Sequence, residues 1–342
     1  MTSSKPPSLR ELNRTLLARQ LLLERSSLGV VDAAHQLLAL QAQWAPGPYV
    51  ALWSRLQSAP KEEVSELVKA TTLRGTLHVS SRELFPALTS AKIEAVRGRT
   101  ENLGVDVEAL RRALPRRAMT GEELREIARQ ALGTDDTWTL EFALRALPFV
   151  RDGVIGPWPH TKPPPGRLWR EPLPAPQESA ARVVRAYLAA YGPATRDDVE
   201  RFTAFKIRQI APALAGFEIG DGYYDVPGAP RVSGRVRAPV RFLPAFDSAL
   251  LAHLYTGRLV PPEYVDAVYN RKNAMCKSTF TVDGFVAGIW RVERKRLLVE
   301  PFAPLAPRWQ REVDEEGERL LAWWLTDTGA GVRRTRPRAT SS

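Results

Sequence analysis

A single cysteine, Cys276, stands in a chain of 342 residues, which excludes an internal disulfide and every zinc site built on several thiolates. Only four histidines, His35, His78, His160 and His253, are present, and no two have the spacing of a zinc-protease helix or of a finger. A glycine-rich phosphate loop, a Gly-x-Ser-x-Gly serine and an Asp-x-Asp cluster are all missing. Phosphoryl transfer and triad hydrolysis therefore have no footing. Apolar runs are short, each broken by Arg, Gln or Glu well before the roughly 20 residues that a membrane span needs. Met1 to Pro7 leads into no apolar signal core, so the expectation is a cytoplasmic protein with neither metal nor cofactor.

Positive charge is what the chain has in excess. Lys and Arg number 49 against 38 Asp and Glu, a net charge of +11, and such a surplus attracts a polyanion. Arg333, Arg334, Arg336 and Arg338 sit in a tail without acids; leaving them out, roughly +7 remains on the body. A hydrophobic share of 44% and a charged share of 25% fit a globular chain. At roughly 150 residues per domain, the length predicts two or three units.

The pattern is clearest over 177–235. Ala181, Val184, Leu188 and Tyr191 recur at helical spacing until Gly192-Pro193. Thr195 caps a second helix with Asp197 and Asp198 in its first turn, and Ile207, Ile210, Ala211 and Leu214 mark a third. Two short strands then flank Gly220-Asp221-Gly222. Helices followed by a hairpin give the order of a winged helix. Segment 116–176 repeats it: the Thr120/Glu123 capping box opens a helix that Gly133 stops, and a second helix is predicted over 139–150. A long hairpin follows, its proline-rich tip flanked by Lys162 and Arg167. Segment 8–115 reads as another copy. Its predicted helices carry Leu9, Leu12, Leu16 and Leu23, then Ala34, Leu37, Leu38 and Gln41, then residues 61–70, before a strand at 76–79. Over 236–330 an Asp283-Gly284 hairpin signal and a strand at 297–300 predict a small antiparallel sheet or barrel, closed by a helix from Arg308 to Leu325. Residues 331–342 read as a basic disordered tail. The expected class is α+β, mainly α, with three tandem winged helices.

The segment Leu37-Leu38-Ala39-Leu40-Gln41-Ala42-Gln43-Trp44-Ala45-Pro46-Gly47-Pro48-Tyr49 is unusual in putting amides among apolar residues. Residues two apart do not share a helix face, so Gln41 and Gln43 converge only where the helix ends, as Pro46-Gly47-Pro48 allows. A buried amide without a partner costs about 1–3 kcal/mol, so each needs protein, water or ligand. The Asp135-Asp136 pair, by contrast, reads as a solvated helix start.

That segment, together with Ala18-Arg19-Gln20-Leu21, Leu73-Arg74-Gly75-Thr76-Leu77-His78 and Leu243-Pro244-Ala245-Phe246-Asp247, resembles the AlkZ-like DNA glycosylases, a branch of the AlkZ/YcaQ winged-helix superfamily. The likeness runs from about residue 8 to 325. Gln41 and Gln43 match the Gln-x-Gln signature, where YcaQ-like members carry Gln-x-Asp. The resemblance implies three tandem winged helices in a C shape around double-stranded DNA. It also implies hydrolysis of the N-glycosidic bond of alkylated purines, in some members including bulky adducts and interstrand crosslinks. Gln41 and Gln43 would be the catalytic pair. Arg74 and His78 would lie near the DNA cleft, Lys162, Arg167, Lys277 and Arg291 are further candidates for phosphate contacts, and Trp44 is a candidate for stacking on the lesion. A monomer is expected.

Alkylation at guanine N7 makes the base a cation that leaves without being protonated, so amides that orient water and stabilise an oxocarbenium-like sugar suffice. Two other readings compete: a winged-helix transcriptional regulator and a non-catalytic protein that shields adducts. The apolar stretch Thr139–Leu147 reads few base edges, which disfavours the regulator.

Overall fold

A computed structural model describes residues 7–151, 165–253 and 255–326. Lys162, the hairpin tip around it and the basic tail at 331–342 lie outside the described residues. The first helix, Leu9–Arg19, opens on a capping box of Ser8 and Glu11. The next, Val30–Gln36, ends where Leu38 turns left-handed at φ 71°. The chain then extends as the strand Leu40–Gln41, where a continuing helix was expected. Helix Gly47–Arg55 starts with a proline in its first turn, the position where a missing N–H costs nothing.

Two further expectations are corrected here. The stretch 61–70 is a 3-10 turn, Glu62–Glu66, followed by the strand Val68–Thr71, because its apolar face is completed by pairing with Leu77–Ser80. The helix predicted to reach residue 150 is Thr137–Arg145. Pro148 cannot continue it, and Phe149–Arg151 becomes a strand. Asp136 caps this helix by accepting from the Thr139 N–H.

These strands form one antiparallel sheet in the order Leu40–Gln41, Leu77–Ser80, Val68–Thr71, Phe149–Arg151, Arg167–Leu168. It joins strands from both sides of residue 115. Helices Gly121–Leu132 and Thr137–Arg145 pack over it around Leu124, Ala128, Leu140 and Ala143. Downstream come helix Pro176–Tyr191, strand Ala194–Thr195, helices Arg196–Thr203 and Ile207–Leu214, and the hairpin Glu218–Gly220 with Tyr223–Tyr224. The middle strand of that small sheet is Tyr223–Tyr224. Beyond it, a four-stranded antiparallel sheet runs in the order Arg296–Pro301, Phe285–Glu293, Thr279–Val282, Arg241–Leu243. Its tight turn puts both Asp283 and Gly284 at positive φ, 43° and 80°, as a two-residue hairpin demands. Helix Pro307–Leu325 lays Val313 and Leu320 on this sheet against Phe242, Phe280 and Trp290. The protein is thus a mixed chain of helices and small antiparallel sheets.

The largest core gathers Leu16, Leu17, Val184, Tyr187, Leu188, Tyr191, Phe202 and Leu243, tying the first helix to the middle and to the last third of the chain. Buried ion pairs reinforce the same junctions. Arg19 donates to both oxygens of Asp225 at 2.7 and 3.0 Å, and Arg55 to both oxygens of Asp247 at 2.9 and 2.8 Å. Among the described residues no helix is long and apolar enough to cross a membrane.

Candidate active site

Gln41 reaches its place on a strand rather than at a helix end. The residue pairs with His78 across the ladder, and the ladder continues through Ala42 N–H to Leu77 C=O at 2.8 Å. Alternate residues of an extended chain share a face. Gln41, buried at 6% exposure, and Gln43, exposed at the start of the next turn, therefore lie side by side. Gln41 Nε2 donates to Gln43 Oε1 at 2.5 Å. The two amides converge, for a reason opposite to the helical one expected.

Arg74 completes the group. It occupies the turn between Val68–Thr71 and Leu77–Ser80 with φ 53°, followed by Gly75 at φ 66°. The left-handed backbone costs a non-glycine residue roughly 1–2 kcal/mol. Its Nη2 donates to Gln41 Oε1 at 3.0 Å and its Nη1 to the Phe202 carbonyl at 2.6 Å, while the guanidinium lies 4.6 Å from the Phe202 ring centre. Burial lowers the Arg74 pKa to about 10, partly offset by Tyr191, Tyr187 and Tyr269, so it stays charged at neutral pH. His78, at 1% exposure, approaches Arg74 Nη2 through Nε2 at 3.5 Å and the Thr76 carbonyl through Nδ1 at 3.0 Å. Burial first, and Arg74 second, bring the His78 pKa down to about 3. The ring is therefore neutral, with its proton on Nδ1, the nitrogen facing the carbonyl.

The pair opens on a cavity of about 420 Å³, within the size range of small-ligand pockets, about 300–1,000 Å³. It is lined by Gln41, Gln43, Arg74 and Thr76 together with Arg201, Phe246, Leu251, Tyr255, Tyr269 and Asn273 to Met275. Among the described residues the lining contains no carboxylate, imidazole or thiol. Tyr269 is held above the ordinary phenol range by burial, and a phenol of that kind is a weak acid. Within this cavity an arriving molecule meets oriented dipoles and guanidiniums, but no group that exchanges protons near neutral pH.

The other residues singled out from the sequence are scattered. Trp44 is half-buried, edge-on to Trp290 at 6.2 Å and stacked with Trp324 at 6.0 Å; neither it nor His78 lines the cavity. Arg167 lies on the outer strand of the five-stranded sheet opposite Val150. Lys277 is exposed beyond the Tyr269–Asn270 and Met275–Cys276 hairpin. Arg291 is paired on its sheet with Glu293 at 2.6 Å and with Glu300. Of the cavity lining, sequence reasoning missed Arg201, Leu251, Tyr255, Tyr269 and Asn273 to Met275; Gln41, Gln43, Arg74, Thr76 and Phe246 lay in segments it singled out. Among the described residues no group of three or more His, Cys, Asp or Glu is placed to hold a metal ion.

Fold and site together define a protein of small helix-and-hairpin units with an amide pair in a cavity whose described lining holds no carboxylate, imidazole or thiol. The chain belongs to the AlkZ-like DNA glycosylase family, whose description "DNA glycosylase AlkZ-like" matches residues 34–323. In fold it is similar to the DNA glycosylase AlkZ of Streptomyces sahachiroi, with a TM-score of 0.71 over 91% of this chain and 95% of that one, at 21% identity. An interstrand DNA cross-link repair glycosylase of Streptomyces sahachiroi is 30% identical over 148 residues. That match spans 38% of this chain and 38% of the relative's length.

Proposed function

We propose that the protein is a monofunctional DNA glycosylase that hydrolyses the N-glycosidic bond of cationic alkylated purines of the N7-alkylguanine type. One observation carries the reading: the cavity wall holds two amides joined at 2.5 Å, and among the described residues its lining has no carboxylate or imidazole. A neutral base leaves poorly without a proton donor, whereas an N7-alkylated base is already positively charged. What the protein must supply is a water molecule oriented toward C1′ and dipoles that stabilise the oxocarbenium-like sugar, and amide groups serve both needs. The cross-link repair named for the relative supports extending the substrates to bulky adducts and interstrand crosslinks.

This reading takes the helix-and-hairpin units as three winged helices arranged in a C around double-stranded DNA, with the protein acting as a monomer. Lys162, Arg167, Lys277 and Arg291 remain proposed phosphate contacts, and their contribution should weaken with added salt as counterions compete. The test is excision from duplexes carrying N7-methylguanine, a bulky N7 adduct, or uracil. Release of the first two and not of uracil is expected. Gln43→Ala should cut the single-turnover rate on the order of 100-fold or more, by analogy with the loss of one oxyanion donor, with duplex binding retained. Efficient uracil release, or an unchanged rate in Gln43→Ala, would overturn the proposal, and binding without excision would favour the adduct-shielding reading.

A further inference from the structure

The polarity of the glutamine pair is set from behind. A guanidinium carries only donors, so the Gln41 atom that meets Arg74 Nη2 at 3.0 Å has to be the carbonyl oxygen. The Gln41 amino group is then turned toward Gln43, and the Gln43 atom it meets at 2.5 Å has to be an oxygen as well. A single donor-only group thus decides which way both amides face. Arg74 is in turn fixed on several sides: by the Phe202 carbonyl at 2.6 Å, by the Phe202 ring beneath it and by the neutral His78 Nε2 at 3.5 Å. Its left-handed backbone belongs with these contacts, since strain of this kind persists only where the surroundings over-determine it.

We propose that Arg74 is a positioning residue for the catalytic pair, holding the Gln41 amide in one orientation so that Gln43 is the member that meets water and substrate. The inference rests on the glutamine reading given above. Gln41 is buried, with its oxygen turned to Arg74 and its amino group to Gln43. Gln43 is exposed and, among the described residues, its side chain is engaged through Oε1 alone, which leaves one lone pair on Oε1 and two N–H donors on Nε2 as the complement a bound water needs. The two glutamines are therefore unequal: Gln43 touches the reacting water, and Gln41 transmits alignment from Arg74. Phe202 ends the helix Arg196–Thr203, so the alignment also depends on a chain segment about 160 residues from the glutamines in sequence.

The experiment compares Arg74→Ala, Arg74→Lys, Gln41→Ala and the Arg74→Ala/Gln41→Ala double variant on an N7-methylguanine duplex. Single-turnover excision is measured at saturating enzyme, and duplex binding by anisotropy across a salt series. Arg74→Ala is expected to lose on the order of 100-fold in rate, the cost of roughly a 1 Å misplacement. Binding and its salt slope should stay at wild-type values, and the double variant should be no slower than Gln41→Ala alone. Arg74→Lys keeps the charge and most of the length if the alanine variant fails to fold. It should still be slow, because a point ammonium does not span the Gln41 oxygen and the Phe202 carbonyl together.

A wild-type rate in Arg74→Lys would overturn the proposal. So would weakened binding with a salt slope reduced by about 1, the mark of a phosphate contact, or losses that multiply in the double variant. If Gln41→Ala and Gln43→Ala themselves keep full rate, the glutamine reading falls. If they lose rate and Arg74→Ala does not, only the positioning role falls.

Discussion

Replacing Asp247 by Asn tests whether a buried charge pair holds the walls of the cavity together. Asp247 stands between Phe246 and the helix Ser248–Ala252, which carries Leu251, and both of those side chains line the cavity. Its two oxygens accept from Arg55 at 2.8 and 2.9 Å, and both side chains are at most 1% exposed. Asn is nearly the same size and caps a helix as well as Asp does, so the bond from the Ala249 N–H, 2.9 Å long, survives. What is lost is the negative charge. The guanidinium keeps the Ala51 carbonyl at 3.0 Å and Gln20 Oε1 at 3.4 Å, neither of them ionised.

Stranding one member of a buried pair costs about 3–5 kcal/mol. With an unfolding entropy of about 2.1 cal/mol/K per residue, spread over 342 residues, each kcal/mol corresponds to about 1.4 °C. Calorimetry should therefore show the melting temperature falling by about 4–7 °C. Adding Arg55→Met to the same chain should recover most of that loss, because the double replacement leaves no buried charge without a partner. A single variant that melts within about 1 °C of the wild type would refute the reasoning, since it would mean that water or backbone already carries the charge.

Acid should expose the buried histidine. His78 titrates near 6.5 when unfolded and is lowered to about 3 in the folded protein. The unfolded chain therefore takes up a proton that the fold refuses, and stability is complete above pH 6.5 and lost as the pH falls from 6.5 toward 3. Urea midpoints at pH 7.5 and 5.0 should differ in the wild type and differ less in His78→Gln; equal differences in both proteins would contradict this. Cys276, at 1% exposure and with its thiol pushed up to about 12 by burial, should react with an aromatic disulfide reagent only after unfolding. Rapid labelling of the native protein would count against its burial. Gly284→Ala should cost about 2–5 kcal/mol, because a residue with a side chain is held at φ 80° and its new methyl group presses on the Arg14 guanidinium and the Asn13 amide. A chemical denaturation midpoint unchanged from wild type would show that the hairpin yields.

Local grammar was the readable part. The Thr120/Glu123 and Thr195/Asp198 capping boxes form as their spacing demands, and Asp283-Gly284 makes the tight turn its residues favour. The approach of Gln41 to Gln43 was anticipated but assigned to the wrong geometry. Ala34, Leu37, Leu38 and Gln41 fit a helical stripe, and only the non-local pairing of Leu40 and Gln41 with Val79 and His78 makes a strand there. The family resemblance singles out Arg74, but nothing local announces its contacts: arginine is an unusual choice for left-handed backbone, and its carbonyl partners, on Gln41 and Phe202, are remote in sequence. Arg14, Arg19, Arg55 and Arg258 were counted in the net charge, yet each is buried; the carboxylate partners of the first three, Asp283, Asp225 and Asp247, come from distant segments of the chain. Charge balance can be counted from composition, but burial depends on contacts between distant segments.

The five-stranded sheet has a consequence for how such a chain can be divided or recombined. Val68–Thr71 is hydrogen-bonded on one flank by Leu77–Ser80 and on the other by Phe149–Arg151. A cut near residue 115 would therefore leave each piece with a bare, sticky sheet edge. The smallest transferable block at the front of the molecule runs through Leu168, and a chimera that exchanged only the first hundred residues would have to rebuild a seam between foreign strands.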